Sequence, residues 1–169
     1  MRITVRLAFD ENAALRLLNW LATENARILR SRPELPLLYD TGVVYRRERS
    51  ETWSDVICML AQGWEDCDAL AAARAGELMA RGFRALAPGE GGYATAHALA
   101  LDTIHAEVML TTRSEPDRPG LYHCITRYRV GERWHRDDPS ARLGMNGPID
   151  PAVRRRWARA RTDLHRRAT

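Results

Sequence analysis

A cysteine placed directly before an alanine-rich helical pattern dominates the region from Gly63 to Gly82. Gly63 allows a sharp bend, and Asp66 belongs to the residue types that accept the first free amide protons of a helix. The alanine and leucine residues after Cys67 are strong helix formers, and Gly82 is typical of a helix end. The pattern predicts a thin helix that packs closely on a sheet and carries Cys67 in its first turn.

This position favours the reactive form of the cysteine. The partial positive charge at a helix N-terminus stabilises a thiolate relative to a thiol, and the thiolate is the nucleophile. Asp66 and Asp68 flank Cys67, and we interpret them as structural because carboxylates also suit a helix start. A single cysteine is more often a core residue than a nucleophile, so a chemical role for Cys67 requires partners elsewhere in the chain.

Length and composition limit the class of protein. The 169 residues suffice for one domain, predicted over 1–150, followed by a basic helix or tail over 151–169. No apolar run reaches the roughly 18 residues of a membrane span, and the N-terminus lacks the apolar core of a signal peptide, which predicts a cytoplasmic protein. Three widely spaced cysteines argue against a disulfide framework. Cys58, His97 and His105 lack the spacing of a zinc site, and we expect no metal or other cofactor.

The basic residues are all arginine, and they are concentrated at the C-terminus. Residues 151–169 contain seven Arg and one Asp, whereas the rest of the chain is close to neutral. Such a segment, here Arg154–Arg167, suits contact with nucleic acid or with an acidic partner. In an arginine-rich protein a solvated helix face is the more ordinary explanation, and both interpretations stay open at this point.

Hydrophobic periodicity and turn residues predict an α+β chain that begins with a strand and a long helix and ends with a hairpin and a further helix. Helices are predicted over 10–30, 53–61, 67–81 and 152–165. Strands are predicted over 2–7, 83–87, 104–112, 121–129 and 132–138, with a short extended piece at 43–45. Loops are predicted over 88–92 and 114–120.

The hairpin pattern makes a geometric prediction. If Val130 and Gly131 form a two-residue loop, His123 lies directly opposite Asp138, with Cβ atoms about 5 Å apart. Val-Gly is not a favoured hairpin pair, and a shifted register would place Asp137 opposite His123 instead.

Three separated residues then combine into one chemical arrangement. A cysteine thiolate needs an imidazole that takes and returns its proton, and the imidazole needs a carboxylate that fixes its tautomer and orientation. Cys67, His123 and Asp138 supply these groups in that order. Alternation along the strands directs Cys124 and His135 to the other face of the sheet.

These segments resemble the transglutaminase-like branch of the papain-like cysteine enzymes. The nucleophile segment, the histidine-bearing strand and the end of the next strand occur in the order that the family uses. They are Gly-Trp-Glu-Asp-Cys-Asp-Ala-Leu-Ala at 63–71, Tyr-His-Cys-Ile at 122–125, and Trp followed by Asp-Asp-Pro-Ser at 134–140. Together with Trp-Ser-Asp-Val at 53–56 and residues 138–145, they look like small members encoded by tailed phages and prophages.

The resemblance covers roughly residues 37–146 and carries structural implications. It implies a papain/transglutaminase-like α+β core, in which the Cys67 helix packs on an antiparallel sheet, with N-terminal and C-terminal helices outside the matched region. It also implies a bacterial host, with the cytoplasm or the virion as the location. The sequence departs from the family pattern at Ala69, where many relatives carry a second acidic residue, and at Glu65-Asp66, where Gly-Asp is usual.

The triad and the resemblance together predict acyl transfer from an amide of a peptide or protein. Cys67 would attack the carbonyl, His123 would act as base and then as acid, and Asp138 would orient the imidazole. The Cys67 N–H and one further donor would stabilise the oxyanion. Candidates for the second donor are Gln62, Trp53 and Trp64. Water as acceptor makes the enzyme a peptidase or amidase, and an amine makes it a transglutaminase; the small size favours hydrolysis.

A non-catalytic virion protein is the alternative. A phage relative with this fold could serve as a structural or assembly protein that contacts other virion proteins and docks on DNA or an acidic neighbour through its basic tail. The arginines available for such docking are Arg154, Arg155, Arg156 and Arg159. The presence of all three triad residue types argues against a dead site, because drift usually removes one of them.

Overall fold

The computed structural model describes residues 2–4, 11–48, 52–112 and 122–167, and side chains over 11–48, 52–111 and 122–159. The described chain is a mixed α+β structure. Its elements in chain order are β1 (Arg2–Thr4), α1 (Glu11–Ser31), β2 (Val44–Tyr45), β3 (Thr52–Ser54), α2 (Val56–Gln62), β4 (Trp64–Glu65), α3 (Cys67–Arg81), α4 (Tyr93–Ala98), β5 (His105–Thr112), β6 (Tyr122–Val130), β7 (Arg133–Asp137), α5 (Pro139–Arg142) and α6 (Pro151–Arg167).

A three-stranded antiparallel sheet in the order β5-β6-β7 carries α3 on one face. Thr126 Oγ1 on β6 donates a hydrogen bond of 2.9 Å to the Ala71 carbonyl of α3 and so fixes the helix on the strand. The long helix α1 packs closely on α3, since a Cβ atom added to Gly76 would lie 2.6 Å from the Cβ of Asn25. The remaining strands form two small pairs, β1 with β3 and β2 with β4.

The predicted α+β class is confirmed, and so is the organising helix. α3 begins at Cys67 with Asp66 as its N-cap, and it ends before Gly82. Gly63 has φ +77°, the left-handed backbone that the predicted bend requires. The antiparallel sheet and the long helices at both ends are also present. The more specific prediction, a papain/transglutaminase-like core, stays a prediction.

Two predicted elements are wrong. Residues 83–87 do not form a strand; the chain makes a 3-10 turn over Gly82–Ala85, where the Phe83 N–H donates to the Leu101 carbonyl at 2.8 Å. Trp53 lies in β3, and the helix predicted there begins only after Asp55. The short helices α4 and α5 were not predicted, because each is a brief run without a hydrophobic period long enough to detect.

The predicted hairpin is present, but its register is wrong. The turn lies over residues 131–132, where the glycine has φ +60°. Tight hairpin turns need this left-handed backbone at the first loop position, so the glycine takes that position rather than the second. In the observed register Asp137 pairs with Thr126, and neither Asp137 nor Asp138 lies opposite His123.

The first turns of the basic C-terminal helix pack on the rest of the fold. Val153 is fully buried, and Trp157 is half-buried against the same hydrophobic cluster. Arg156 forms two hydrogen bonds to the carboxylate of Asp40, at 2.7 and 3.0 Å. The docking role predicted for Arg156 is therefore corrected to a structural one. The exposed arginines of α6 whose side chains are described are Arg154, Arg155 and Arg159.

Several predictions lie outside the described residues: the strand over 5–7, the helix cap at Asp10, the loop over 114–120, and the side chains from 160 onward. Within the part of the chain that the structure covers, none of the helices combines the length and the apolar character that crossing a membrane requires.

Candidate active site

Cys67 stands at the start of α3 with its side chain half-buried. The Asp66 carboxylate accepts the Cys67 N–H at 2.6 Å and, through its other oxygen, the N–H of Glu48 at 2.9 Å. Burial and the nearby negative charge of Asp66 raise the pKa of Tyr45, on β2, above its ordinary value. These bonds fix the loop that precedes α3 and hold the sulfur at the helix start.

His123 and Asp138 form a close pair. His123 is buried on β6, and its Nε2 lies 2.8 Å from Asp138 Oδ2. The other carboxylate oxygen, Oδ1, accepts the Ala141 N–H at 2.9 Å and thereby caps α5. Because each oxygen has its own partner, the carboxylate is held in one orientation against the imidazole.

The two side chains meet diagonally rather than directly opposite each other. β7 ends at Asp137, and Pro139 begins α5. Continued by one residue, the observed register would place Asp138 opposite Ile125, two positions from His123. Diagonal neighbours of this kind are about 7–8 Å apart, a gap that the two side chains can span. The contact predicted from the sequence exists, but the geometry predicted for it is wrong.

The Cys67 thiol interacts with both Cys124 and His123, and these interactions lower its pKa. Cys124 contributes its side chain and its backbone N–H, and His123 contributes its ring. Since His123 Nε2 faces Asp138, Nδ1 is the ring nitrogen left to interact with the sulfur. Strand alternation does place Cys124 on the face opposite to His123, as predicted. That face lies under α3, however, and so Cys124 reaches Cys67.

These contacts shift the pKa values of the two reactive groups in opposite directions. The hydrogen bond with the Cys124 side chain, opposed by burial and aided by the His123 ring, lowers the pKa of Cys67 to about 6. Burial lowers the pKa of His123, but its hydrogen bonds with Asp138 and Cys67 outweigh this effect and raise that pKa to about 9. Between these two pH values a thiolate beside an imidazolium is the favoured state.

We expect the rate at which iodoacetamide alkylates Cys67 to rise through a pH of about 6 and to level off near neutrality. The reason is that the thiolate, not the thiol, attacks the reagent. Cys58, a half-buried cysteine in α2, is the internal control and should react at least about tenfold more slowly at pH 7. Mass spectrometry of peptides alkylated at a series of pH values measures both rates. A Cys67 profile centred near pH 8.5, the value of an ordinary cysteine, would contradict the ion pair.

Two of the three side chains predicted to stabilise an oxyanion are engaged elsewhere. Trp53 is buried, and its Nε1 donates to Asp68 Oδ2 at 2.5 Å. Gln62 Nε2 donates to the Trp64 carbonyl at 2.7 Å and to Glu65 Oε1 at 2.9 Å. Both side chains tie the loop before α3 to its surroundings, and their N–H groups are therefore engaged with other acceptors in this structure.

Trp64 is the candidate donor that the described contacts leave available. Its ring is half-buried beneath the Arg46 guanidinium, which lies 4.9 Å from the ring centre. Among the described residues, none accepts a hydrogen bond from its indole N–H. The Cys67 N–H, which was also expected to bind the oxyanion, instead donates to Asp66.

A buried ion-pair network holds the end of β7 in place. Arg74 on α3 is fully buried, and the Tyr39 hydroxyl donates to Asp137 at 2.9 Å. The guanidinium forms ion pairs of 2.5, 3.0 and 2.7 Å with the carboxylates of Glu77, Glu90 and Asp137. Asp137 immediately precedes Asp138, so this network fixes the strand end from which Asp138 contacts the imidazole.

Sequence reasoning missed this network, although part of the signal was present. Arg74 and Glu77 interrupt the alanine-rich pattern of a helix that was expected to be buried, and buried charges require partners. An internal ion pair was therefore predictable. Its partner Asp137 lies 63 positions away, and no local pattern identifies it. Tyr45 and Cys124 were missed because their contacts with the cysteine loop arise only from the packed fold.

His97 and His105, whose spacing does not fit a zinc site, contact aromatic rings. His97 in α4 stacks on Tyr93 with ring centres 5.7 Å apart, and His105 on β5 meets the edge of Trp134 at 5.5 Å. Among the described residues, no group of three His, Cys, Asp or Glu side chains is placed to hold a metal ion.

In comparisons with known proteins, no family model, curated protein or solved structure matches this chain. The resemblance to transglutaminase-like cysteine enzymes therefore depends on the three sequence motifs alone and stays a prediction.

Proposed function

We propose that this protein catalyses acyl transfer from an amide of a peptide or protein, with Cys67 as nucleophile, His123 as base and acid, and Asp138 as the residue that orients the imidazole. The observation that carries this proposal is the His123 ring, which contacts the Cys67 sulfur on one side and lies 2.8 Å from Asp138 on the other. Three residues distant in the sequence thus meet in the order that thiol catalysis requires.

The reaction follows from this arrangement. The Cys67 thiolate attacks the carbonyl carbon, and the resulting oxyanion needs hydrogen-bond donors, for which Trp64 is the described candidate. The His123 imidazolium gives its Nδ1 proton to the departing amine, the C–N bond breaks, and a thioester remains. His123 then takes a proton from the acceptor, which attacks the thioester and releases Cys67.

The nature of the acceptor decides between hydrolysis and transamidation. Water yields a carboxylic acid, and a primary amine yields a new amide. Hydrolysis is the default for a site built from one domain of this size, because no second element is needed to position an amine. The chain contains no lysine, so it provides no ε-amino acceptor of its own.

A 4-nitrophenyl acetate assay tests the thioester step without knowledge of the natural substrate. We expect a burst of one equivalent of nitrophenolate and an adduct of about 42 Da on Cys67, as covalent catalysis requires. Cys67→Ala should abolish both, and Cys58→Ala should keep both. Adding methylamine to the reaction then shows whether the acetyl group passes to water or to the amine.

The absence of both burst and adduct in the folded protein, with iodoacetamide labelling Cys67 no faster than Cys58, would overturn this proposal. That result would favour the second candidate, a non-catalytic virion structural or assembly protein. The exposed arginines on α6 are the observation that favours this alternative. Retention of DNA that falls with rising salt and with the replacement of Arg154, Arg155 and Arg159 by glutamate would support it.

A further inference from the structure

A second cysteine lies directly beneath the proposed nucleophile. Thr126 on β6 is bonded to the Ala71 carbonyl on α3, which fixes how the helix lies along the strand. Four residues of a helix rise by about 6 Å, and two residues of a strand span about 6.6 Å. Going back four residues along the helix leads from Ala71 to Cys67, and going back two residues along the strand leads from Thr126 to Cys124. The two distances are nearly equal, so the two cysteines lie next to each other.

The contacts of Cys124 agree with this placement. Its side chain and its backbone N–H both lie close enough to the Cys67 sulfur to lower the pKa of that thiol. Cys124 is 5% exposed and belongs to the core cluster against which Cys67 packs, whereas Cys67 itself is half-buried. A reagent from solvent thus meets Cys67 first, with Cys124 behind it.

We propose that Cys67 and Cys124 form a reversible oxidation site, in which a hydroperoxide converts the two thiols into an intramolecular disulfide. The biological meaning of this site, which is control of the nucleophile, depends on the proposed function. Its chemistry does not, because it requires only two adjacent thiols and one of them accessible.

The oxidation takes two balanced steps. The Cys67 thiolate attacks the peroxide, the O–O bond breaks, and Cys67 becomes a sulfenic acid while the hydroperoxide is reduced to water or an alcohol. The Cys124 sulfur then attacks the sulfenic sulfur. An S–S bond forms, the S–O bond breaks, and the oxygen leaves as water with the thiol proton. A dithiol reductant supplies two electrons and two protons and restores both thiols.

The position of Cys124 determines what oxidation does to the protein. A sulfenic acid without a neighbouring thiol proceeds to sulfinic and sulfonic acids, which are not readily reversed. Cys124 intercepts the sulfenic acid first. The expected result is a protein that loses thiol reactivity in peroxide and regains it fully with dithiothreitol.

The test is direct mass measurement on the full chain. Reduced protein is freed of reductant, treated with hydrogen peroxide at pH 7 and blocked with N-ethylmaleimide. We expect a mass lower by about 2 Da than that of untreated protein before blocking, and a single remaining alkylated cysteine, as an intramolecular disulfide requires. Trypsin leaves Cys58 and Cys67 in one peptide, because no basic residue lies between Ser50 and Arg74. In the Cys58→Ser variant, a disulfide can join only Cys67 and Cys124, so this variant identifies the bonded cysteines. We expect the variant to form the disulfide as wild type does.

Cys124→Ala provides the matched comparison. In this variant peroxide should add about 32 or 48 Da to Cys67, the masses of two or three oxygen atoms, and dithiothreitol should not reverse the change. If that variant misfolds, the test depends on which cysteines are joined in wild type and in Cys58→Ser. A bond that involves Cys58, a bond between two chains, or overoxidation of Cys67 in wild type would each overturn the inference. Protein that forms the Cys67–Cys124 bond but no acetyl adduct would keep this inference and remove the proposed acyl transfer.

Discussion

Replacing His123 by alanine is expected to lower the rate of ester and amide turnover by about 10⁶-fold, the scale seen when one member of a catalytic triad is removed. The variant loses the proton acceptor and donor in contact with the Cys67 sulfur, and the pKa of that thiol loses one of its lowering influences. The Asp138 carboxylate remains in place, since Ala141 still binds its other oxygen. Nitrophenolate release under single-turnover conditions measures the effect, and thermal unfolding checks that the fold is kept.

Comparing several variants tests the proposed triad more specifically than the loss of turnover in one variant does. Asp138→Asn should reduce turnover by up to about 10⁴-fold, because a neutral amide no longer stabilises the His123 imidazolium that pairs with the thiolate. The double variant with His123→Ala and Cys67→Ala should be no slower than either single one, since the residues act as a unit. His105→Ala, an exposed histidine on β5, is the matched control and should leave the rate unchanged. Turnover by His123→Ala within tenfold of wild type would refute the assigned role.

Replacing Arg74 by methionine is expected to reduce the free energy of unfolding by about 3–5 kcal/mol, the cost of breaking a buried ion pair from one side. Methionine fills much of the space but leaves Glu77, Glu90 and Asp137 without the cation that they surround. At about 2–4 °C per kcal/mol for a chain of this size, the melting temperature should fall by roughly 6–20 °C. Chemical and thermal denaturation followed by circular dichroism measure both quantities.

Arg84→Met is the matched control for this prediction. Arg84 forms a 3.2 Å ion pair with Asp102, but both side chains are mostly exposed. Surface pairs of this kind contribute about 0–1 kcal/mol, so the control should hardly change the melting temperature. Equal effects of the two substitutions would mean that the network around Arg74 does not stabilise the end of β7. The active-site geometry would then need another source of rigidity.

Much of the candidate site was accessible from short-range patterns. The Asp66 cap, the start of α3 at Cys67, and the strands that carry His123 and precede Asp138 all follow from capping preference and periodicity, which depend on residues a few positions apart. Because these patterns depend only on residues a few positions apart, they also led to a wrong hairpin register. The turn at 131–132 was misplaced by one residue, and a change in turn position alters every pairing along the hairpin.

The acceptors of the two predicted oxyanion donors could not be read from the sequence for a different reason. Trp53 and Gln62 carry suitable N–H groups, but which acceptor each one finds depends on elements brought together by packing. The Trp53 indole binds Asp68, and the Gln62 amide binds Glu65. Residue type indicates what a side chain can donate, whereas the folded surroundings decide to which group it donates.

Local chemistry in the chain was thus sufficient for the α+β class, the cysteine at a helix start, and the identity of the histidine and carboxylate that meet it. Tertiary packing alone decided the diagonal contact of His123 with Asp138, the enclosure of Arg74 by carboxylates, and the position of Cys124 beneath Cys67. Alternation along a strand assigns each residue to a face of the sheet. It carries no information about which turn of a helix covers that face, because this is set by long-range contacts such as that of Thr126 with Ala71.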